Sequence, residues 1–154
     1  MTTKITGANV NTLSLGVVSG VIQTTLAAAL EKVTISATAA TGTINYDLST
    51  QSILYYTSNA SANWTVNIRG DASTTLNSLM ATGQSVTMTF LVTQGSTAYY
   101  NSAVTIDGTS VTPKWFGGSA PTSGNASGVD VYTYTVIKTG SAAFTVFASQ
   151  ARFA

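Results

Sequence analysis

The feature that most constrains this chain is an alternation of apolar and polar side chains with a period of two, repeated along most of its length. Trp64, Val66 and Ile68 share one face of a segment whose other face is Thr65, Asn67 and Arg69. Val86, Met88, Phe90 and Val92 alternate with Thr87, Thr89, Leu91 and Thr93, and Tyr132, Tyr134 and Val136 alternate with Thr133, Thr135 and Ile137. Phe144, Val146 and Ala148 alternate in the same way with Thr145, Phe147 and Ser149. Successive side chains of an extended strand point to opposite faces, so this period fits strands with one buried and one wetter face. VTISATA from Val33 and ILYYT from Ile53 supply two more. The separators are rich in Gly, Ser and Asn, with Asp107-Gly108 suited to a tight hairpin turn. Many short strands with such turns predict an all-β fold, an antiparallel β-sandwich of jelly-roll type.

One segment departs from the alternation. In DASTTLNSLMATGQ, Leu76, Leu79 and Met80 fall at i, i+3 and i+4, Ser73 is placed to cap the start and Gly83 to end it. The spacing predicts one short helix across an open end of the sandwich. The first forty or so residues are apolar and weakly periodic, apart from helical spacing in TTLAAALEK. Residues 1–43 therefore read as an N-terminal arm or attachment segment, and 44–154 as the sandwich domain. MTTKITGANVNTLSLG lacks the basic start and unbroken apolar run of a signal peptide. VVSGVIQTTLAAAL is interrupted by Ser19, Gly20, Gln23, Thr24 and Thr25, short of the roughly 20 apolar residues of a membrane span, so no membrane partner is expected.

Composition narrows the chemistry. A chain of 154 residues is long enough for one domain with a substantial core. It has no Cys, hence no disulfide framework or thiol chemistry, and no His, the usual general base near neutral pH and the commonest metal ligand. Six basic against five acidic residues give a net charge of +1, which leaves no electrostatic footprint for nucleic acid. Only 7% of residues are charged, against about 25% in ordinary soluble domains. Sparse charge offers little repulsion between copies, so much of the surface is expected to lie against other protein.

No catalytic, cofactor or metal site is expected. The acids Glu31, Asp47, Asp71, Asp107 and Asp130 sit mostly beside turn residues. A glycosidase-type pair among them stays open only because carboxylate separation is a property of the fold. Ser and Thr are abundant, but there is no GxSxG elbow, and GGSAPTSG lacks phosphate-loop spacing. The sequons at Asn59, Asn63 and Asn125 are the chance product of a chain rich in Asn, Ser and Thr.

Four aromatic residues near strand ends are the candidate contacts: Tyr99, Tyr100, Trp115 and Phe116. Exposed rings there suit stacking on sugar faces or anchoring a protein interface; alternatively they fill or close the core. Trp115 and Phe116 open the loop TPKWFGGSAPTSGNASGVD, in which Gly117-Gly118 allow a sharp turn and Pro113 and Pro121 add stiffness. The rings are then either a plug at one end of the sandwich or the anchor of an intersubunit contact.

The blocks YYTSNASANWTVNIRGD, LVTQGSTAYYNSAVTIDG, VTPKWFGGSAPTSGNASGVDVYTYTVIKTG and FTVFASQARFA carry a resemblance. From about Ile44 to Ala154 the chain resembles small structural proteins of tailed bacteriophages, especially cyanophages and related marine phages. The Trp115-Phe116 pair departs from that pattern, which has a polar residue after the Trp. The resemblance implies a non-enzymatic virion component on the particle exterior, assembled in the host cytoplasm, as capsid decoration, cement or appendage. The expected partners are further copies of the chain, as a homotrimer, and virion proteins such as the major capsid or tail proteins. The alternative is a tail-fibre adsorption module that binds host surface glycans through Tyr99, Tyr100, Trp115 and the loop from Gly117 to Gly128.

Overall fold

The computed structural model describes residues 30–154, and most of the arm, including VVSGVIQTTLAAAL up to its last residue and most of TTLAAALEK, lies outside the described residues. Ten strands follow: β1 (Val33–Ala39), β2 (Gly42–Asp47), β3 (Ile53–Ser58), β4 (Trp64–Arg69), β5 (Ser85–Thr93), β6 (Asn101–Ile106), β7 (Thr109–Val111), β8 (Lys114–Trp115), β9 (Val129–Gly140) and β10 (Ala143–Phe153). They form a six-stranded sheet in the order β1-β3-β5-β9-β10-β8 and a four-stranded sheet in the order β2-β4-β6-β7. The chain is all-β, a sandwich of two sheets with one short helix, α1 (Leu76–Leu79). Because β1 and the start of β2 belong to these sheets, the sandwich begins well before residue 44.

The strand directions correct the antiparallel, jelly-roll expectation. β1 with β3, β3 with β5, β2 with β4, β4 with β6 and β8 with β10 are all parallel. Antiparallel pairing is confined to β5 with β9, β9 with β10 and β6 with β7. The reason lies in the connections. From β1 to β6 the chain changes sheet after every strand, so each strand of one sheet is the crossover between two neighbours of the other. Parallel neighbours need a crossover of a dozen or more residues, and a strand with its two arcs supplies it. Alternation reveals that a strand is half-buried but not which way its neighbour runs.

Two tight hairpins remain. Asp107-Gly108 joins β6 to β7 with φ of 51° and 80°, the two left-handed residues that a primed hairpin turn requires. Ser141-Ala142 joins β9 to β10.

Even-numbered residues of β3, β5 and β9 face even-numbered residues of β4 and β6 across one core that includes Leu54, Met88, Phe90, Val92, Tyr132, Tyr134, Val136, Trp64, Val66, Ile68, Val104 and Ile106. Trp64 bridges the sheets, meeting Phe90 and Tyr132 edge-on at centroid distances of 6.2 and 5.7 Å. Such pairs add roughly 0.5–1.5 kcal/mol each beyond their area. Two buried phenols are paired: the Tyr46 hydroxyl donates to the Ser52 carbonyl at 2.5 Å, and Tyr134 donates to Asn101 Oδ1 at 3.1 Å. Burial raises the phenol pKa of Tyr46, Tyr132 and Tyr134, so all three stay protonated.

The helix is shorter than its spacing predicts and differently capped. Its N-cap is Thr75, whose hydroxyl accepts from Ser78 N, and it ends at Met80, before Gly83. Four residues cannot hold a helix by themselves. Asp107 accepts from Leu76 N and Asn77 N at 2.7 and 3.0 Å, and Lys138 Nζ donates to the carbonyls of Asn77 and Met80 at 2.5 and 2.8 Å. An acid at the N-terminal end and a cation at the C-terminal end match the helix dipole.

Candidate functional site

The loop from Thr112 to Asp130 is fixed at its far end by the side chain of Asp130, which the β9 alternation turns into the interior. Its Oδ2 accepts from Gln94 Nε2 at 2.9 Å and Asn125 N at 3.1 Å, while Oδ1 has no partner among the described residues. Gln94 also clamps Tyr99, donating to its carbonyl at 2.7 Å and accepting from its amide at 3.0 Å. Asn125 Nδ2 donates to the Phe153 carbonyl, and Arg152 donates to Ser123 O and Oγ. One buried carboxylate thus ties two loops to the start of β9. Burial pushes its pKa up, and the hydrogen bonds from Asn125 and Gln94 only partly offset this.

The four candidate aromatics are not brought together. Trp115 is half-buried, packed on the core with its ring 6.3 Å from that of Tyr134, and it lines a cleft with Pro113, Pro121, Val111 and Ser102. One side of the ring packs against its own core, as a plug would, and the other lines the cleft. Phe116 is 87% exposed and lies on the other side of the β8 edge, in a shallow groove with Lys114, Phe147, Thr133 and Thr135. Gly117 and Gly118, both at positive φ, turn the chain directly after it. Tyr99 is half-buried against the core. The backbone of Tyr100 is held by its neighbours, its amide donating to Asn63 Oδ1 and its carbonyl accepting from Trp64 N.

Asp47, Asp71 and Asp107 have structural partners. Asp47 pairs with Arg69 at 2.6 Å, which holds the guanidinium pKa above its ordinary value. Asp107 caps α1, and Asp71 accepts from Ser73 N at 2.8 Å, a bond that lowers its pKa. Among the described residues no three of His, Cys, Asp and Glu converge as metal ligands, and no helix is long and apolar enough to cross a membrane.

The two outer faces of the sandwich differ in kind. On the four-stranded sheet, Asn67 Nδ2 donates to Asn45 Oδ1, Thr105 Oγ1 donates to Asn67 Oδ1, and Asp47 pairs with Arg69 alongside, a polar ladder suited to water. On the six-stranded sheet, Ile35, Tyr55, Leu91, Val131 and Ala151 lie in one register row across five strands. Beside it runs Val33, Ile53, Thr89, Thr133 and Ser149, and beyond that Thr87, Thr135, Phe147 and Lys114. Among the described residues the outward positions of these rows carry one charge, Lys114 at the edge, whose Nζ sits 5.7 Å over the Phe147 ring. β1 is inverted: Val33 and Ile35, 43% and 69% exposed, face out, while Thr34 and Ser36 face in.

The sequence singled out the loop aromatics and passed over this face. The signal was present: Leu91, Ile137 and Phe147 stand at outward positions among Thr and Ser. What could not be seen was that strands so far apart in the chain set their outward apolar residues side by side.

Fold and site together define an all-β two-sheet module, coiled between its sheets over its first six strands, with one polar outer face and one on which an apolar row runs among Thr and Ser. Compared with known proteins, the chain matches no family model, no curated protein and no solved structure.

Proposed function

We propose that the chain is a non-enzymatic structural protein of a phage virion, which decorates or extends the particle exterior through self-association and through contacts with virion proteins such as major capsid or tail proteins. The observation that carries this reading is the outward face of the six-stranded sheet. A face on which one row of apolar side chains crosses five strands, flanked by Thr and Ser and free of acids, is costly to leave in water and marks a protein contact. The inverted β1 supports it, since an edge strand that turns Val33 and Ile35 away from its own core gains stability only when another surface covers them. The block resemblance supplies the kind of assembly.

The test is particle composition: mass spectrometry and immunogold labelling of particles purified from the phage that encodes the chain. Stoichiometric, externally labelled protein is expected, and particles made without it should lose stability or an external feature. Particles of unchanged composition, shape and stability in its absence refute the reading.

Glycan adsorption is the second reading, favoured by the open cleft in which Trp115 lies beside Ser102 and Pro121. It has fewer rings to work with, because Tyr99 packs on the core and Phe116 faces the other way. Glycan binding that Trp115→Ala abolishes is its signature.

A further inference from the structure

We infer that two copies of this chain pair face to face through the outer surface of the six-stranded sheet, with the row Ile35, Tyr55, Leu91 and Val131 at the contact. This deepens the assembly reading above and rests on it for its purpose, though not for its measurement.

Three observations choose a second copy as the occupant. The first is charge. The face carries no acid and a single cation at one edge, so it offers nothing to steer or select a charged partner, while an identical face meets it without like-charge repulsion. The second is area. Five strands of 6 to 12 residues share four register rungs and extend past them on one side or the other; at about 4.8 Å per strand and about 3.3 Å per residue their combined footprint is roughly 700 Å². Two such faces bury up to roughly 1400 Å², above the ~1000 Å² that a specific interface clears. The third is shape. Val, Ile, Leu and Thr at outward positions of a continuous sheet make the low-relief surface on which sheets stack at about 10 Å, as the two sheets of one sandwich do.

One face that meets itself closes as a two-fold pair, so the geometry points to a dimer as the primary unit in place of the homotrimer expected from the sequence. Phe116 and Phe147 lie at the β8 margin of the face, where they extend the apolar contact. The Asn-Thr ladder of the other sheet remains turned outward for water or for other virion proteins.

The experiment uses the full chain. Light scattering after gel filtration, from 1 to 100 μM, is expected to give twice the 15.8 kDa chain mass. Ile35→Lys, on an edge strand and largely exposed, is expected to weaken dimerisation at least tenfold, with unchanged circular dichroism and Trp fluorescence. Since the chain has no Cys, Thr89→Cys, near the middle of the face, gives a clean crosslinking probe. Because sheets stacked about 10 Å apart are too far for a disulfide, a thiol-specific bis-maleimide is used, and it is expected to produce a covalent dimer, whereas Thr65→Cys on the opposite sheet stays uncrosslinked.

A single-chain mass at 100 μM overturns the inference, whether residues 1–29 or a different protein then cover the face. A trimer, a dimer indifferent to Ile35→Lys, or crosslinking through Thr65→Cys instead of Thr89→Cys also overturns it. The virion reading fails separately: a dimer absent from particles refutes that reading alone, and a particle-borne monomer refutes only the pairing.

Discussion

Asp107 holds a hairpin turn and a helix end at once, and Asp107→Asn separates the two roles. Both carboxylate oxygens accept backbone amides, from Leu76 at 2.7 Å and Asn77 at 3.0 Å. An amide side chain has one acceptor oxygen, so one of those N–H groups loses its partner and the other loses a charged one. Hydrogen bonds to charged groups contribute about 1.5–3 kcal/mol and neutral ones about 0.5–1.5. The net loss is therefore about 2.5–4.5 kcal/mol. The turn itself offsets only a few tenths of this, since Asn suits the left-handed φ of 51° at least as well as Asp. With a urea slope of about 2 kcal/mol/M the unfolding midpoint should fall by roughly 1–2 M, read from the fluorescence of buried Trp64. Amide hydrogen exchange should quicken first at Leu76 and Asn77. Gly108→Ala is the control: it strains the turn at φ 80°, has open space for its methyl group, and should leave both amides protected. A midpoint for Asp107→Asn within 0.2 M of the parent ( sets the scale), or unaltered exchange at Leu76 and Asn77, would show that the carboxylate does not hold the helix.

Three further outcomes follow from the same structure. Lys138→Met keeps the buried stem but deletes both donors to the last carbonyls of α1, so it should cost about 2–3 kcal/mol in urea unfolding and couple non-additively with Asp107→Asn in a double-mutant cycle. Burial raises the folded pKa of Asp130, so its contribution is full below the unfolded carboxylate value of about 3.9 and is lost as the pH rises through the folded value. Asp130→Asn should flatten the stability curve across that window, and an unchanged curve would remove Asp130 as its source. Gly124→Ala places a methyl group against the Tyr99 carbonyl, Asp130 and Gln94, and should loosen the loop by about 1–3 kcal/mol, whereas Gly140→Ala, whose methyl group meets only Ala143 Cβ at 3.5 Å, should cost less; equal effects would contradict the close packing at Gly124.

The strands themselves were legible because each carries its own pattern: the segments at Val33, Ile53, Trp64, Val86, Tyr132 and Phe144 all became strands. Asp107-Gly108 was legible for the same local reason, since two left-handed residues in succession suit few other sequences. Pairing direction was not legible, because Ile53 lies beside Thr89 only after the chain has visited the other sheet through β4. The helix start was misplaced at Ser73 because its partner at the N-terminal end, Asp107, comes from thirty residues further along the chain. Site reasoning met the same limit. Trp115 and Phe116 are neighbours in sequence, yet alternation sends one ring toward Tyr134 and the other to the opposite face.

The parallel relation between the first and last long strands carries a mechanical consequence. β1 runs parallel to β3 and β5, β9 runs against them, and β10 runs with them again. The chain therefore enters the six-stranded sheet at one end of its strands and leaves at the other, with three intervening strands between β1 and β10. Tension applied between these two points slides neighbouring strands along one another and loads the rungs of each ladder together. It does not peel them open one after another, as pulling on a hairpin would. A module joined to its surroundings through those two ends is arranged to bear load in shear.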